Sequence, residues 1–489
     1  MKKNGRTKKA ALEAAALCAA LGVFLTGCGI GEDLNDTKSA GTKNGDTNIQ
    51  IEAPGKITAE ALAEYPTEPV FQEDGEQWDY ARAKREMITE EFAAAYGDFA
   101  VKTSVELLKG SSENMAYSPL SLYYALALAC DGAEGETQEE MLKLLGYEDA
   151  RELAADCKSS FEGLYYVPNE ENNKPNEWGE YSAESRYSLM IANSLWADDA
   201  LTLKDEFAER AAANFYADVF KGDLQSAETA KMKSEWVSER THGLITPSEQ
   251  PANDQTVLSI INTIYFYDEW ITRFDKERTE PYLFTCEDGT KVTCDFMNMI
   301  QSSSGFRRGE NFTASTLSLK NGSMVFVLPD EGVDVHELVN DAETLAAAIG
   351  DGGDSLFGKV TWKVPKFSYG SDMELADMLK TLGMEQAFAE SADFSGIADD
   401  SPLFISNVKQ NAHIGIDENG VEGAAFTEIM YAGAALPKDE AEMILDRPFL
   451  YVVKNNGQIV FMGICENPSN GNVDESRRIT FVCEENTED

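Results

Sequence analysis

The chain has 489 residues, of which 86 are acidic and 41 are basic, and its formal net charge is −45 at pH 7. Binding to nucleic acid depends on clustered Lys and Arg, so this balance excludes a nucleic-acid partner. Only three histidines are present, His242, His336 and His413, and no Gly-x-Ser-x-Gly motif accompanies them. A hydrolytic triad, and with it an enzyme function, is therefore not expected.

The first 27 residues have the layout of a signal peptide. Basic residues as far as Lys9 precede a mostly apolar segment, 10–24, which is too short to span a bilayer. The following Leu-Thr-Gly-Cys28 resembles the bacterial lipobox, in which the peptide is cut before a cysteine that then carries a diacylglyceride. The resemblance implies a bacterial lipoprotein anchored through Cys28 to the extracellular face of the cell membrane. An ordinary secretory signal with an unrelated cysteine is the alternative.

Residues 28–86 are predicted to be the lipidated cysteine and a flexible acidic tether. This segment is rich in Gly, Asn, Asp, Thr and Glu and has no sustained apolar period. Residues 87–469 contain no second linker and no internal repeat, so we expect one large domain there. The end of the chain, 470–489, is interpreted as an acidic tail. Removal of residues 1–27 would change the formal charge from −45 to −49.

Apolar patterning predicts several elements of this domain in chain order. Residues 87–108 carry apolar side chains at helical spacing, and Ser118-Pro119 is a favourable start for a helix over 120–129. The continuous apolar and β-branched segment 257–267 predicts a strand that is buried on both faces. Asp288-Gly289 between two strand-like segments predicts a hairpin. Further strands are expected over 403–416, 449–453 and 459–463.

The stretch 418–449 combines features of a loop and of a strand. It begins with Gly420 and the small residues 423–425, which have no bulky side chain to fix their position. Alternate positions from Val421 are small or β-branched, while most positions between them are larger or charged. A period of two lets one face of a strand fit over packed elements while the other face stays outside. The segment is therefore predicted to adopt either a loop or a strand conformation.

Motifs at both ends of this stretch resemble the serpin family, protease inhibitors whose reactive loop inserts into their own central sheet. Glu418-Asn-Gly-Val-Glu422 matches the family's hinge, and Asp446-Arg-Pro-Phe449 matches the strand that follows the loop. Residues 114–121 resemble the start of the helix beneath that sheet. The resemblance covers the whole expected domain. It implies an α+β fold with about nine helices around three β-sheets, including a large central sheet, and an exposed reactive loop.

The resemblance also implies a set of functional residues. Counting Glu418 as the seventeenth residue before the cut, as the family does, puts the reactive bond between Ala434 and Ala435. The residues that precede the bond and set its specificity would be Tyr431, Ala432 and Gly433. The implied hinge consists of Glu418, Gly420, Val421, Glu422, Gly423, Ala424 and Ala425. The residues implied to gate the sheet are Asn114, Ser118, Ser121 and Trp270. Core packing alone is the alternative for Trp270, and a simple helix cap is the alternative for Ser118.

By the family's mechanism, a serine protease attacks the Ala434 carbonyl and forms an acyl-enzyme, and the freed segment then enters the sheet and disrupts the protease. Small residues at the cut fit the pocket of elastase-like proteases and exclude trypsin-like ones. The resemblance therefore implies an irreversible suicide-substrate inhibitor of elastase-like serine proteases. We expect it to act as a monomer, covalently bound to its target and tethered to the membrane.

Three positions depart from the family pattern. Val421 replaces the usual Thr or Ser and should point inward, Gly423 replaces an Ala, and Phe426 is bulkier than most hinges carry. A serpin in which Val421 or Phe426 delays insertion would be cut as a substrate without inhibiting, which is one alternative function. A lipid-anchored surface binding protein is the alternative from another class. In addition, Gln410 stands where a His is frequent, so a pH-sensitive gate based on that His is not expected.

No metal site and no cofactor are predicted. Neither Asp351-Gly-Gly-Asp354 nor Asp288-Gly289 has the ligand sequence of a calcium loop, and turns account for both. Six cysteines remain besides Cys18 and Cys28, and their pairing is open. Cys286 and Cys294 flank one hairpin and are the nearest pair, although a two-residue turn would not set them opposite each other.

Overall fold

A computed structural model describes most of the chain between residues 65 and 469. The described ranges are 58–60, 65–72, 75–169, 187–247, 251–252, 256–350, 352–398, 403–421 and 439–469. Within them the chain forms nine α-helices and sixteen β-strands, arranged in three sheets. The predicted α+β class with about nine helices is confirmed. No helix in these ranges is long and apolar enough to cross a membrane.

The helices lie mainly in the first half of the domain. Their bounds are α1 (Glu76–Glu86), α2 (Glu90–Leu108), α3 (Pro119–Asp131), α4 (Gly135–Leu145), α5 (Ala150–Leu164), α6 (Asp205–Phe215), α7 (Ala227–Arg240), α8 (Ala342–Ile349) and α9 (Ala376–Thr381). Local sequence determines several starts. Thr89, Ser118 and Asp149 cap α2, α3 and α5, because each side-chain oxygen accepts a hydrogen bond from a first-turn N–H. The helix predicted after Ser118 is confirmed.

The strands extend from residue 58 to residue 465. Their bounds are β1 (Thr58–Glu60), β2 (Met115–Tyr117), β3 (Ser188–Ala197), β4 (Ala217–Lys221), β5 (Leu258–Glu269), β6 (Glu280–Thr285), β7 (Lys291–Arg308), β8 (Phe312–Ser318), β9 (Gly322–Pro329), β10 (Asp354–Pro365), β11 (Phe367–Glu374), β12 (Lys409–Ile416), β13 (Gly420–Val421), β14 (Asp439–Ile444), β15 (Phe449–Asn455) and β16 (Gln458–Cys465). The predicted hairpin is formed by β6 and β7. Its turn contains Gly289 at φ +79°, a conformation that glycine adopts without strain.

Three hydrogen-bonded sheets organise the described strands. The largest has nine strands in the order β14-β10-β7-β8-β9-β15-β16-β2, with β6 beside β7. The second has the order β1-β4-β3-β5-β13, and the third contains only β11 and β12. Strand β16 is buried along its whole length and β15 along nearly all of it, so the predicted closing strands form the core of the largest sheet.

The edges of the second and third sheets lie side by side, with β5 next to β12. We call the break between these two strands the parting. Strand β5 pairs with β3 along ten residues on one edge, while its other edge pairs only with β13. Strand β12 pairs along its full length with β11. Residues 264–266 of β5 and 413–415 of β12 line one narrow cavity. Among the described residues, these two strands are therefore neighbours that share no ladder.

The prediction that residues 28–86 form a flexible tether is wrong for the residues closest to the domain. Residues 76–86 form α1, which packs on α5, and the buried Lys84 donates a hydrogen bond from Nζ to the Tyr165 carbonyl at 2.5 Å. The ring of Tyr65 lies 5.2 Å from that of Tyr165 and 5.8 Å from that of Tyr216. In this segment the apolar contacts with the domain come from a few aromatic rings and the aliphatic part of a lysine side chain. Because the rest of the segment is polar, its composition did not indicate that it packs on the domain.

Cys130, Cys157, Cys286, Cys294 and Cys465 are free thiols in the structure. Cys294 lies opposite Tyr282 in the β6–β7 ladder, and Cys286 lies beyond the end of β6. The two cysteines that flank the hairpin therefore do not face each other, as the short turn suggested. Cys28, residues 1–27 and the tail 470–489 lie outside the described residues, and the signal peptide, lipid anchor and tail stay predictions.

We expect Tyr65→Ala to lower the stability of the folded protein by about 2 kcal/mol, because the substitution removes a ring packed among three other aromatic rings. The midpoint of denaturant unfolding measures this change. Trp78→Ala is the matched control, since the Trp78 side chain is 73% exposed and its loss should leave the midpoint unchanged. Equal midpoints for both variants would mean that residues 65–86 do not belong to the domain.

Candidate functional site

The chain reverses direction at the carboxyl end of β12, in a short turn made by residues 417–420. The Asp417 backbone N–H donates to the Gly420 carbonyl at 3.1 Å. The Asp417 carboxylate accepts hydrogen bonds from the Asn419 N–H at 2.8 Å and from the Gly420 N–H at 3.3 Å. A side chain that bonds the backbone two and three residues further on is the usual way in which Asp stabilises a turn. The turn brings Gly420 and Val421 back beside β5, at the edge of the parting.

Beyond this turn, β13 runs antiparallel to β5 for two residues. Gly420 lies opposite Glu269 and Val421 lies opposite Asp268. A Cβ atom at position 420 would be 2.3 Å from the Asp268 carbonyl oxygen, so this close approach of two backbones requires glycine. Val421 is 4% exposed and belongs to the main core. Its predicted inward orientation is therefore confirmed.

Glu418 anchors the turn to the body of the protein. Its side chain is only 5% exposed, accepts a hydrogen bond from Thr279 Oγ1 at 2.8 Å, and pairs with Lys366 Nζ at 3.1 Å. Burial by itself would raise the pKa of Glu418, but hydrogen bonds from its own backbone, Thr279 and Lys366 outweigh burial and lower the pKa below its usual value. The charged form of Glu418 therefore stabilises this geometry.

Trp270 lies directly against the turn. The indole Nε1 donates to the Asp417 carbonyl at 2.9 Å, and the Trp270 backbone N–H donates to the Asn419 carbonyl at 3.0 Å. The side chain is 1% exposed and packs edge-on against Phe274. Trp270 is therefore a core residue that also contacts the turn before β13, and its role in gating the sheet stays a prediction.

Two buried carboxylates lie under β13. Glu269 is fully buried and pairs with Lys320 at 2.8 Å and with Arg273 at 3.2 Å. The neighbouring Asp268 accepts hydrogen bonds from the Asn321 and Glu269 backbone N–H groups, and burial raises the pKa of Asp268 to about 7. The end of β5 that receives β13 is therefore tied to several neighbouring segments.

Two hydrogen-bonded pairs lie farther from the turn, one on each side of the parting. On the β12 side, Gln410 accepts from the Ser118 N–H at 2.8 Å and donates to the Ser118 carbonyl at 2.9 Å. On the β5 side, Asn262 donates to the side-chain oxygen of Asn193 on β3 at 2.6 Å. The first pair links β12 to the start of α3, and the second links β5 to β3. Gln410, Asn193 and Asn262 were not predicted as site residues, although Asn262 and Gln410 lie in the strands predicted over 257–267 and 403–416, where a polar side chain is a signal for such a pair.

A profile of the serpin family, described as serpin (serine protease inhibitor), matches residues 94–468. The chain belongs to the serpin family. Serpin A3-8 from Bos taurus is 29% identical over 386 residues, which cover 77% of this chain and 88% of that protein. A serine protease inhibitor from Mus musculus is 30% identical over 379 residues, covering 76% and 87%. Serpins are in general protease inhibitors rather than enzymes, which is consistent with the expected lack of enzyme function.

Solved serpin structures have the same fold. The thermophilic serpin Tengpin in its native state superimposes with a TM-score of 0.67 at 25% identity, covering 84% of this chain and 99% of Tengpin. Thyroxine-binding globulin in complex with thyroxine gives a TM-score of 0.61 at 25% identity, covering 77% and 99%. The serpin fold predicted from the two loop motifs is confirmed.

The structure brings together some of the predicted serpin residues and separates others. Ser118 caps α3 beside the parting, and its Oγ donates to the Val460 carbonyl at 2.8 Å. Ser121 is buried one turn further along α3. The side-chain amide of Asn114 bonds the backbone of Glu466 and Asn467 beyond β16. It therefore anchors the end of the last strand, and the gating roles of Asn114, Ser118 and Ser121 stay predictions.

Several predicted residues lie outside the described part of the chain. They are the hinge residues Glu422, Gly423, Ala424 and Ala425, the specificity residues Tyr431, Ala432 and Gly433, the reactive bond Ala434–Ala435, and the lipidation site Cys28. Their roles stay predictions that follow from the family resemblance. The described hinge residues Glu418, Gly420 and Val421 all lie at the end of the parting where β5 and β12 end.

We expect Glu418→Gln to destabilise the intact protein at pH 7 by about 2 kcal/mol, since hydrogen bonds to a charged group contribute about that much. Because folding lowers the pKa of Glu418, its contribution is complete above the unfolded pKa and is lost as the pH falls through the folded pKa. The difference in unfolding midpoint between wild type and variant should therefore be constant from about pH 8 to pH 5.5 and narrow below about pH 4.5. A difference that grows on acidification would contradict this assignment. Glu440→Gln serves as an exposed control.

Proposed function

We propose that this serpin inhibits serine proteases by inserting its cleaved reactive loop into the parting between β5 and β12. The observation that supports the proposal is the pairing of Gly420 and Val421 with the end of β5, because the described residues form no ladder between β5 and β12 beyond that pairing. After acylation at Ala434, the segment up to that residue is free at its carboxyl end. It can then extend β13 into a full strand.

The register of β13 predicts how that strand would pair. In an antiparallel ladder the numbers of facing residues have a constant sum, and Gly420 faces Glu269. Extension of the ladder therefore sets Gly423 opposite Phe266, Ala425 opposite Ile264, and Thr427 opposite Asn262. These β5 residues lie on one side of the strand, and two of them, Phe266 and Ile264, belong to the main core. The inward positions of the hinge are small or β-branched, which supports an inserting strand.

The other face of the inserted strand would lie beneath α7. Tyr265 packs edge-on against His242 just after α7, and Ile261 contacts the apolar cluster that includes Trp236 of that helix. The same register sets Phe426 opposite Thr263 on this side. Phe426 thus meets the helix rather than the core, which favours an inhibitor over a serpin that is only cut as a substrate. Val421 is already buried and requires no further accommodation.

We infer that the targets are elastase-like proteases. Gly433, Ala434 and Ala435 surround the expected cut and fit a small specificity pocket, whereas a trypsin-like pocket requires a cationic residue. Insertion adds a strand whose backbone can form ladders with both β5 and β12 and is therefore strongly favourable. The protease is then displaced while still acylated, before water can hydrolyse the ester. Inhibition of this kind consumes one inhibitor molecule for each protease.

Incubation with pancreatic elastase should yield a covalent complex that survives denaturing electrophoresis. Thr427→Arg should abolish the complex while cleavage continues, because the register directs position 427 inward and a buried unpaired cation is costly. Glu428→Arg is the matched control, since its neighbouring position faces the other side and already carries a charge. The control variant should form the complex as the wild type does.

Other results of that experiment favour the alternatives. Cleaved wild-type protein without a complex would identify a serpin that is only a substrate. The absence of both cleavage and complex would favour a surface binding protein. Thyroxine-binding globulin has the same fold, and so the fold does not by itself decide between inhibition and binding.

We also propose that the protein is a lipoprotein on the outer face of a bacterial membrane, as the Leu-Thr-Gly-Cys28 segment indicates. Cys28→Ser should prevent acylation, so the variant should lose incorporation of radiolabelled palmitate and shift from the membrane fraction to the soluble fraction. Cys18→Ser lies within the same signal segment and should change neither readout. Membrane retention of Cys28→Ser would contradict a lipid anchor at this residue.

A further inference from the structure

A histidine and three carboxylates meet at the end of the domain that carries the β6–β7 hairpin. His336 belongs to a short 3₁₀ helix, Val335–Val339, that follows β9, and Asp334 caps it. Glu466 directly follows β16, and Glu287 lies in the turn of the hairpin. Ligand atoms of Glu287, Asp334 and His336 lie within 4.8 Å of one another. Neither the family match nor the proposed inhibition assigns a role to this cluster.

Glu466 and His336 point at each other without forming a hydrogen bond. Glu466 is 5% exposed, and neither of its carboxylate oxygens has a hydrogen-bond partner. His336 Nε2 is buried and also lacks one. The two groups approach to 3.6 Å, between His336 Nε2 and Glu466 Oε1, which is too long for a hydrogen bond. Two ligands about 2.1 Å from a tetrahedral ion lie about 3.4 Å apart, so this separation suits a shared metal.

The other nitrogen of the ring is oriented by a carboxylate. His336 Nδ1 lies 2.9 Å from Asp334 Oδ1, and the same oxygen accepts the His336 backbone N–H at 2.9 Å. A proton on Nδ1 leaves the Nε2 lone pair facing Glu466. Metal-binding histidines are commonly oriented in this way, by a carboxylate bonded to the nitrogen that does not bind the metal. Asp334 is therefore a positioning residue for His336.

The charge of the cluster also favours a cation. In the described part of the chain, no Lys or Arg forms an ion pair with Glu287, Asp334 or Glu466. Three carboxylates and one imidazole thus share a partly buried position. Because imidazole is a poor ligand for magnesium and calcium and a good one for zinc, the ligand set selects a transition metal.

We propose that His336 and Glu466 bind a divalent first-row transition-metal ion of the zinc class, with Asp334 orienting the imidazole and Glu287, which has a carboxylate oxygen within 4.8 Å of a His336 ring nitrogen, as the further carboxylate ligand. The ion would tie the end of β16 to the hairpin and to the 3₁₀ helix. Asn114 holds the Glu466 backbone from the other side through a hydrogen bond of 2.8 Å, which adds to the rigidity of the ligand. Bound metal stabilises the folded protein because the unfolded chain has no such site.

The test titrates EDTA-treated full-length protein with Zn²⁺ by calorimetry and measures the thermal midpoint in parallel. We expect one zinc per chain and a midpoint that rises by several degrees, whereas Mg²⁺ and Ca²⁺ should change neither readout. His336→Gln and Glu466→Gln should each weaken zinc binding by at least about 100-fold. Asp334→Asn should weaken it by about 10- to 100-fold, as expected for a residue that acts through the ligand.

Two further variants distinguish this site from other zinc-binding groups. His242→Gln is the matched control, because His242 packs against Tyr265 rather than carboxylates, and it should bind zinc as the wild type does. The partly exposed thiols of Cys286 and Cys294 are the competing ligands. Zinc binding that persists in His336→Gln and disappears in Cys286→Ser/Cys294→Ser would overturn the proposal. The absence of zinc binding by the wild-type protein would overturn it as well.

Discussion

The break between β5 and β12 is the feature on which the rest of the structure depends. Beyond the pairing of Gly420 and Val421 with β5, the described residues form no ladder between these two strands, although both line the same cavity. Strand edges within a sheet normally find partners, because unpaired buried N–H and C=O groups are costly. In the proposed mechanism, a conformation with one more strand is lower in free energy, and the intact chain is held away from it by kinetics.

The contacts around the turn lie where insertion would begin in the proposed mechanism. Glu418, Trp270 and the turn at Asp417 hold Gly420 and Val421 beside β5. Farther down, Gln410 and Ser118 tie β12 to α3, whereas Asn193 and Asn262 tie β5 to β3. The two strands on either side of the parting are thus each bonded to another element.

Predictions from the sequence succeeded where the determinants are local. Ser118-Pro119 specifies a helix start through one cap and one fixed φ, and Asp288-Gly289 specifies a hairpin through a glycine at positive φ. The inward position of Val421 followed from alternation alone. The partners of Asn114 could not be predicted, for the opposite reason. A motif match gives a residue's place along the chain, while its partners at Glu466 and Asn467 lie some 350 residues away.

The sequence by itself predicted the serpin fold, through the resemblance of its loop motifs to that family. It also determined the alternating hinge and the small residues at the expected cut, because these depend on residue type and spacing along the chain. Only the tertiary structure decided that residues 65–86 pack on the domain, that Gln410 pairs with Ser118, and that Glu466 faces His336. Each of those contacts joins segments distant in sequence. Their formation depends on how sheets and helices pack, and no periodicity within one segment records that packing.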